Sequence, residues 1–486
     1  MESGAYRRDK PAPALRSGFM KSLLFALIAV APLLPAAEAP RPNILLIVAD
    51  DCTFSDLPFH GGDNARTPRL SRLAEQGLVF ERAYLGMAMC SPSRSELYTG
   101  RTALRNGCAW NHGTCRPGTR SMPHHLGALG YRVGLAGKTH IQPAAVFPFE
   151  KVPGFDENCV REPTRPHDLT GVRDFITRDA GQPFCLVVAL TEPHVPWVMG
   201  DAAAYPPARL KLPPYLADTP RTRQDFGRYL AEITFMDSQA GELLDLLDEK
   251  KLADNTVVIF TSEQGAQFPG NKWTNWDSGL HTSLVVRWPG VVTPGKRSAA
   301  VVQYADVLPT LTALADGKPG PEEFDGRSFE SVLRGQADRH RDFAHGLHHN
   351  HPEGPPYPIR SVSDGEWRYI RNLTPDRLYF EKHLMGRTDH NPYWATWIFH
   401  ADRDPATLRL VERFLKRPAE ELYHTARDRF EMTNLAADPA HAAIKARLAA
   451  ELDRHYALHH DPGAALDSPA SFEAAAGGKH PFPAKP

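Results

Sequence analysis

The stretch NILLIVADD, residues 43–51, is an apolar strand that ends abruptly in two acids. A strand apolar along its whole length needs cover on both faces, which a parallel sheet flanked by crossover helices supplies. YRVGLAGKTH (131–140), FCLVVALTEPH (184–194) and TVVIFTSEQG (256–265) repeat the pattern of apolar run and polar end. In such sheets ligands sit beyond the carboxyl ends of the strands. Asp50 and Asp51, Lys138 and His140, His194, and Glu263 and Gln264 are therefore expected to converge on one site.

The segments between these runs read as helices. TPRLSRLAEQG carries Thr67 as an N-cap, Pro68 at the first helical position and Gly77 as a stop. AEITFMDSQAGELLDLLDEKKL is an amphipathic helix. The expected fold class is α/β, a large mostly parallel sheet sandwiched by helices over residues 40–340. Beyond that the texture changes. PIRSVSDGEWRYIRNL reads as two strands about an Asp364-Gly365 turn, and ELYHTARDRFEMTNLAADP is followed by the helix AHAAIKARLAAELDRHYALHH. These predict a smaller C-terminal α+β domain with an antiparallel sheet over 341–460, then an Ala/Pro/Gly-rich tail over 461–486. HGLHHNH (345–351) reads as a surface loop, with His348 or His349 lining the pocket as the alternative.

Residues 1–39 are expected to be a signal peptide. Met20-Lys21-Ser22 precedes LLFALIAVAPLL (23–34), and Ala37-Glu38-Ala39 supplies a small-x-small cleavage pattern. The apolar run is too short for a stable membrane span. The chain is read as exported, periplasmic or secreted, with either Met1 or Met20 as the start. In such a compartment thiols tend to pair or to react. Of the six cysteines, Cys108 and Cys115 would close a short loop, or with His112 suggest zinc, although their spacing fits no standard zinc pattern. A net charge of −1 gives no global field for polyanions, so nucleic acid is not an expected partner and an anionic substrate must meet local cations.

Several motif readings fail on spacing. Gly137-Lys138-Thr139 resembles the end of a P-loop, but Arg132 stands where its first glycine belongs, and no Gly-x-Ser-x-Gly elbow occurs. What survives is Cys90-Ser91-Pro92-Ser93-Arg94 followed by Leu97-Tyr98-Thr99-Gly100-Arg101, which resembles the signature of the type I sulfatases, a family of alkaline-phosphatase-like fold. The resemblance implies that Cys90 is converted to formylglycine by a maturation enzyme, and that one hydroxyl of its hydrate attacks sulfur. It implies a divalent cation, calcium, held by Asp50, Asp51, residue 90, Glu263 and Gln264. Lys138 and Lys272, the latter from NKWTNWDSGL, would bind sulfate oxygens. His194 would protonate the leaving group, with Lys272 as the alternative acid. His140 would take the proton that lets sulfate leave, and Arg94 would orient the hydrate. Where the family commonly has Asp-His-Gly or Asp-Asn-Gly, this chain has Glu263-Gln264-Gly265, each side chain one methylene longer.

GKTHIQPAAVFPFE, HHNHPEGPPYPIRSV with WRYIRNL, and ELYHTARDRFEMTNLAADP are similar in order to the N-sulfoglucosamine sulfohydrolase (heparan N-sulfatase) branch of that family. The implied activity is a sulfatase cleaving sulfate from sulfated sugars of glycosaminoglycan type, N-sulfoglucosamine favoured. Alternatives are an O-sulfatase for another sulfated polysaccharide, a phosphomonoester or phosphonate hydrolase of the same fold, and a non-catalytic sulfated-glycan binder. Oligomeric state is open.

Overall fold

Five consecutive apolar side chains make β1, Asn43–Val48, a central strand of the larger sheet. Ile44, Leu46 and Val48 belong to one apolar cluster, Leu45 and Ile47 to the other, because successive residues of a strand face opposite sides. All five are 0–2% exposed, and burying each aliphatic side chain contributes about 1.5–3 kcal/mol. The computed structural model describes residues 41–386 and 392–479; the expected signal peptide, 1–39, lies outside them.

The sheet also contains β2 (Leu78–Tyr84), β3 (Arg132–Gly137), β4 (Glu150–Lys151), β5 (Phe184–Ala189), β6 (Thr256–Thr261), β7 (Leu284–Arg287) and β8 (Lys296–Gln303), in the order β4-β3-β5-β1-β6-β7-β2-β8. Leu46 stands level with Val187 of β5 and Ile259 of β6, both parallel neighbours. Only β7 among these strands runs against the rest, antiparallel to both β6 and β2. One face is covered by the long helix Pro220–Glu249 through Leu230, Ile233, Met236 and Ala240, the other by Met122, Leu126, Leu308 and Leu311. No described helix is long and apolar enough to cross a membrane.

The helix Pro68–Gln76 forms as expected, but its ends are made differently. Thr67 stands at the N-cap without accepting a backbone hydrogen bond. The free amides of Arg69 and Leu70 instead donate to Asp237 of the long helix, at 3.1 and 2.8 Å, so a tertiary carboxylate replaces the local cap. Gly77 is extended, φ −128°, rather than left-handed. It is required by closeness, since a Cβ there would lie 2.6 Å from the Val286 carbonyl oxygen on β7. The long helix starts earlier than its apolar pattern, at Pro220, where the Thr219 side chain accepts from the Thr222 amide.

The second sheet has the order β12-β11-β10-β9, all antiparallel, from β9 (Ala344–His348), β10 (Ile359–Ser363), β11 (Trp367–Asn372) and β12 (Glu420–His424). Gly365, φ +85°, makes the expected turn between β10 and β11. HGLHHNH is not a surface loop. It supplies β9 and buries His348 and His349 completely. His349 spends its two ring nitrogens on the Ala109 carbonyl (2.9 Å) and Arg360 (3.1 Å), so it lines no pocket as a free group, while His348 is wholly buried with Nε2 3.4 Å from Asn350 Oδ1; His345 stacks on His455 at 3.5 Å. The described part of the expected tail is docked as well. Asp467 accepts the amides of Asn350, His351 and Tyr357 at 2.8, 3.0 and 2.7 Å. All six cysteines are free thiols, so the Cys108–Cys115 pairing is not made, and among the described residues neither belongs to a cluster that could hold a metal.

Asp306 joins the edge of the large sheet to the segment entering β9. It accepts from Arg341 Nε at 2.6 Å and from the amides of Gln303 and Arg327 at 2.9 Å each. Burial opposes its charge, but Arg341 and His340 outweigh burial and hold the carboxyl well below its ordinary 3.8. Because the folded value lies below the unfolded one, this stabilisation is complete above about pH 4 and is lost as pH falls further. Asp306→Asn is expected to cost about 3 kcal/mol, the lower end for a broken buried pair, since Arg341 is 18% exposed. Urea unfolding at pH 7 and pH 3 checks this, with the gap between mutant and native narrowing at the lower pH.

Candidate active site

The carboxyl ends of β1, β3, β5 and β6 bring together every residue expected there. Asp50 and Asp51 follow β1, Lys138 follows β3, His194 follows β5, and Glu263 and Gln264 follow β6. Cys90 enters at the start of the helix Cys90–Thr99 and is 1% exposed. Lys138 Nζ lies 3.5 Å from its Sγ, Gln264 Nε2 3.2 Å and Asp50 Oδ1 3.8 Å. Burial pushes the thiol up, but Lys138 and Lys272 together hold it well below the usual thiol range.

Each acid is matched to a cation. Lys138 Nζ donates to Asp50 Oδ2, and Lys272 Nζ donates to Asp51 Oδ2 at 2.7 Å. Arg94, wholly buried, forks onto Glu263 through Nε (3.0 Å) and Nη2 (2.9 Å) and gives Nη1 to the Lys138 carbonyl at 3.1 Å. Its Nη2 stands 3.6 Å from Asp50. Arg94 thus holds two carboxylates in place rather than presenting a free guanidinium to residue 90. Ser93 Oγ lies 2.8 Å from Glu263 Oε1 and 3.1 Å from Gln264 Oε1. Asp51 and Glu263 both have left-handed backbones, φ +60° and +54°, strain of the kind retained where function requires it.

The donor set suits a hard cation. Asp50, Asp51 and Glu263 are each 0% exposed, while Gln264 turns its Nε2 to Asp51 Oδ1 at 2.8 Å and its Oε1 to Ser93; such carboxylate-rich sets are what calcium and magnesium take. Asp50, Cys90 and Glu263 offer ligand atoms within 4.8 Å of one another. Burial, with Asp50 and Cys90 alongside, pushes Glu263 well up against the pull of Arg94. The longer Glu263 and Gln264 side chains still reach the cluster.

His194 Nδ1 lies 2.6 Å from the Val195 carbonyl, so it carries the proton there and Nε2 faces inward, 3.4 Å from both Asp51 Oδ2 and Lys272 Nζ. Burial disfavours its charge, but Cys159 and Asp51 raise it well above the ordinary histidine value. His140 interacts with the Cys90 thiol, and burial lowers it to about 4. The sequence assigns no site role to Ser93, to Cys159, which clusters with Asp50 and His194, or to Glu353, and it sets His112 beside Cys108 and Cys115 rather than beside His140. Ser93 lies inside a quoted motif; Cys159 sits in a stretch with no periodic or motif signal.

A family model described as Sulfatase matches residues 42–317. The chain is 32% identical over 426 residues to an ulvan-active sulfatase of Formosa agariphila, covering 85% of this chain and 79% of that one. It is 28% identical over 481 residues to the N-sulphoglucosamine sulphohydrolase of Homo sapiens, covering 87% and 91%. A structure solved in complex with its substrate D-glucosamine-2-N,6-O-disulfate has a TM-score of 0.65 at 17% identity, covering 88% of this chain and 100% of that one. The phosphonate monoester hydrolase of Silicibacter pomeroyi has 0.64 at 19%, covering 86% and 96%. At these identities the two structures share the fold, a mixed, mostly parallel sheet of alkaline-phosphatase-like type. With more than half of its length matched by the family model, the chain belongs to the sulfatase family, and it is a hydrolase.

Proposed function

We propose that the protein removes sulfate from sulfated sugars of glycosaminoglycan type, N-sulfoglucosamine favoured, using formylglycine made from Cys90 by a maturation enzyme, with calcium at Asp50, Asp51, residue 90, Glu263 and Gln264. The observation that carries this reading is buried Cys90 with Lys138 Nζ 3.5 Å from its Sγ and with Lys272 held nearby on Asp51, beside a cluster of buried carboxylates. Formylglycine, when formed, supplies a geminal diol, one hydroxyl to attack sulfur and one whose proton loss releases sulfate. A bound cation supplies positive charge that favours the ionised hydroxyl and offsets charge on the sulfate oxygens.

The side chains have complementary tasks. Lys138 and Lys272 bind sulfate oxygens and meet the charge that grows on them in the transition state. His194, raised by Cys159 and Asp51, carries a proton at neutral pH and directs Nε2 into the site as the acid for the leaving group. His140, lowered to about 4, is neutral there and accepts the proton at position 90. His194→Ala is expected to lower kcat roughly 100-fold or more for sugar sulfates and far less for aryl sulfates, whose leaving groups need no proton. A uniform loss across a leaving-group series contradicts the acid role.

The substrate preference is supported by likeness to the human N-sulphoglucosamine sulphohydrolase over 87% of this chain. The likeness to an ulvan-active sulfatase favours a second reading, an O-sulfatase for another polysaccharide. Parallel kcat/KM values for N-sulfoglucosamine, its O-sulfated isomers and ulvan oligosaccharides decide, and a higher value for any O-sulfate overturns the first reading. Export to a periplasmic or secreted location is part of the proposal, and a precursor retained in the cytoplasm contradicts it.

A further inference from the structure

Behind His140 stands a line of groups that the chemistry above does not use. His140 Nε2 lies 2.8 Å from His112 Nδ1, and His112 Nε2 lies 3.4 Å from Glu353 Oε1. Glu353 is fully buried and also meets Asn111 Nδ2 at 2.6 Å, His383 Nε2 at 2.6 Å and Lys382 Nζ at 3.2 Å. Burial opposes its charge, but the donors from His112, His383 and Asn111 prevail and keep the carboxyl far below the usual range. The backbone amide of His112 donates to Ser91 Oγ at 3.1 Å, which ties the line to the residue after Cys90. His112 and His140 both hold left-handed backbones, φ +56° and +47°, a conformation that residues with a Cβ adopt at a cost.

The charge on Glu353 favours one assignment of donor and acceptor roles along this line. An ionised Glu353 only accepts, so His112 Nε2 carries a proton. Asn111 Nδ2 also stands 3.4 Å from that nitrogen, but a bare Nε2 would set its lone pair against the Glu353 carboxylate 3.4 Å away, which favours the protonated Nε2. With Nε2 donating, the other ring nitrogen of His112, Nδ1, is the acceptor, so His140 Nε2 carries a proton and His140 Nδ1 keeps a bare lone pair. That Nδ1 is buried and makes no hydrogen bond among the described residues, while the ring interacts with the Cys90 thiol.

We propose that Glu353 and His112 are positioning residues that fix the tautomer of His140, leaving Nδ1 as the proton acceptor for the group at position 90. Glu353 follows β9, and His383 and Lys382 belong to the short helix Lys382–Met385, so the C-terminal sheet reaches the reaction centre through this line. The role in turnover rests on the reading of His140 as the proton acceptor; the tautomer does not.

Nitrogen-15 histidine NMR of the unmatured protein, with His140→Gln to assign the ring, reads the tautomer directly. The expected native spectrum shows His140 protonated at Nε2 and bare at Nδ1, with His112→Ala and Glu353→Gln each giving mixed tautomers. His112 is 55% exposed, so its removal leaves the fold intact, and an unchanged melting temperature verifies this. In the matured enzyme both variants are expected to lower kcat roughly 10- to 100-fold with KM within about twofold, and Glu353→Asp to recover part of the loss. An unchanged His140 tautomer in His112→Ala, or an unchanged kcat, overturns the proposal. If the matured native protein turns over no sulfated substrate, the functional reading fails on its own, and the spectra still decide the relay.

Discussion

Cys90→Ser is expected to reduce catalysis to at most one turnover per molecule, leaving a sulfate ester on the introduced hydroxyl that mass spectrometry detects. A serine can present one hydroxyl to sulfur but has no second hydroxyl on the same carbon, so the ester has no internal route to release sulfate. The surroundings needed for a first attack remain: Lys138 and Gln264 stand 3.5 and 3.2 Å from the side-chain atom of residue 90, and Arg94 and Ser93 still hold Glu263. The substitution is nearly isosteric, so stability is expected to change by less than about 1.5 kcal/mol. Multiple turnovers by this variant, measured as free sulfate per enzyme, would show that position 90 needs no geminal diol.

Chelation is the second large effect. Asp50, Asp51 and Glu263 lie together without solvent, and the Lys138, Lys272 and Arg94 pairs that hold them are the same groups proposed to serve sulfate or position the acids. Removing a cation from this cluster is expected to abolish turnover. A ligand bound only by the folded chain at about 100 times its Kd stabilises it by about 2.7 kcal/mol, which for a chain of this size is a fall in Tm of roughly 3 °C when it is withdrawn. Calcium is expected to restore both. An unchanged rate and Tm after exhaustive chelation contradict the metal site.

How much of the fold and site is legible in the sequence depends on where the determining partner lies. The strands β1, β3, β5 and β6 are readable because burial on both faces demands an apolar run, and their polar ends name the site residues directly. The reversal of β7 is not, since LVVR is equally apolar in either direction. The cap on Pro68–Gln76 escapes a local reading because Asp237 arrives from 168 positions away and outcompetes the neighbouring threonine. HGLHHNH suggests a solvated loop because histidine is polar, yet its burial is made good by Arg360, His455 and the Ala109 carbonyl. In the sequence His112 stands out only for its place between two cysteines, and Glu353 only within a stretch suggesting a subfamily. Their meeting depends on packing between segments 242 positions apart, as the Asn111–Glu353 bond measures.

The most direct test of the central claim is the mass of the tryptic peptide spanning residues 83–94, AYLGMAMCSPSR, from protein purified from its own host. The expected peptide is one in which the Cys90 thiol has been replaced by an aldehyde. A peptide that retains its thiol, or carries it in a disulfide, would contradict the formylglycine mechanism and leave a binder of sulfated glycans as the better reading.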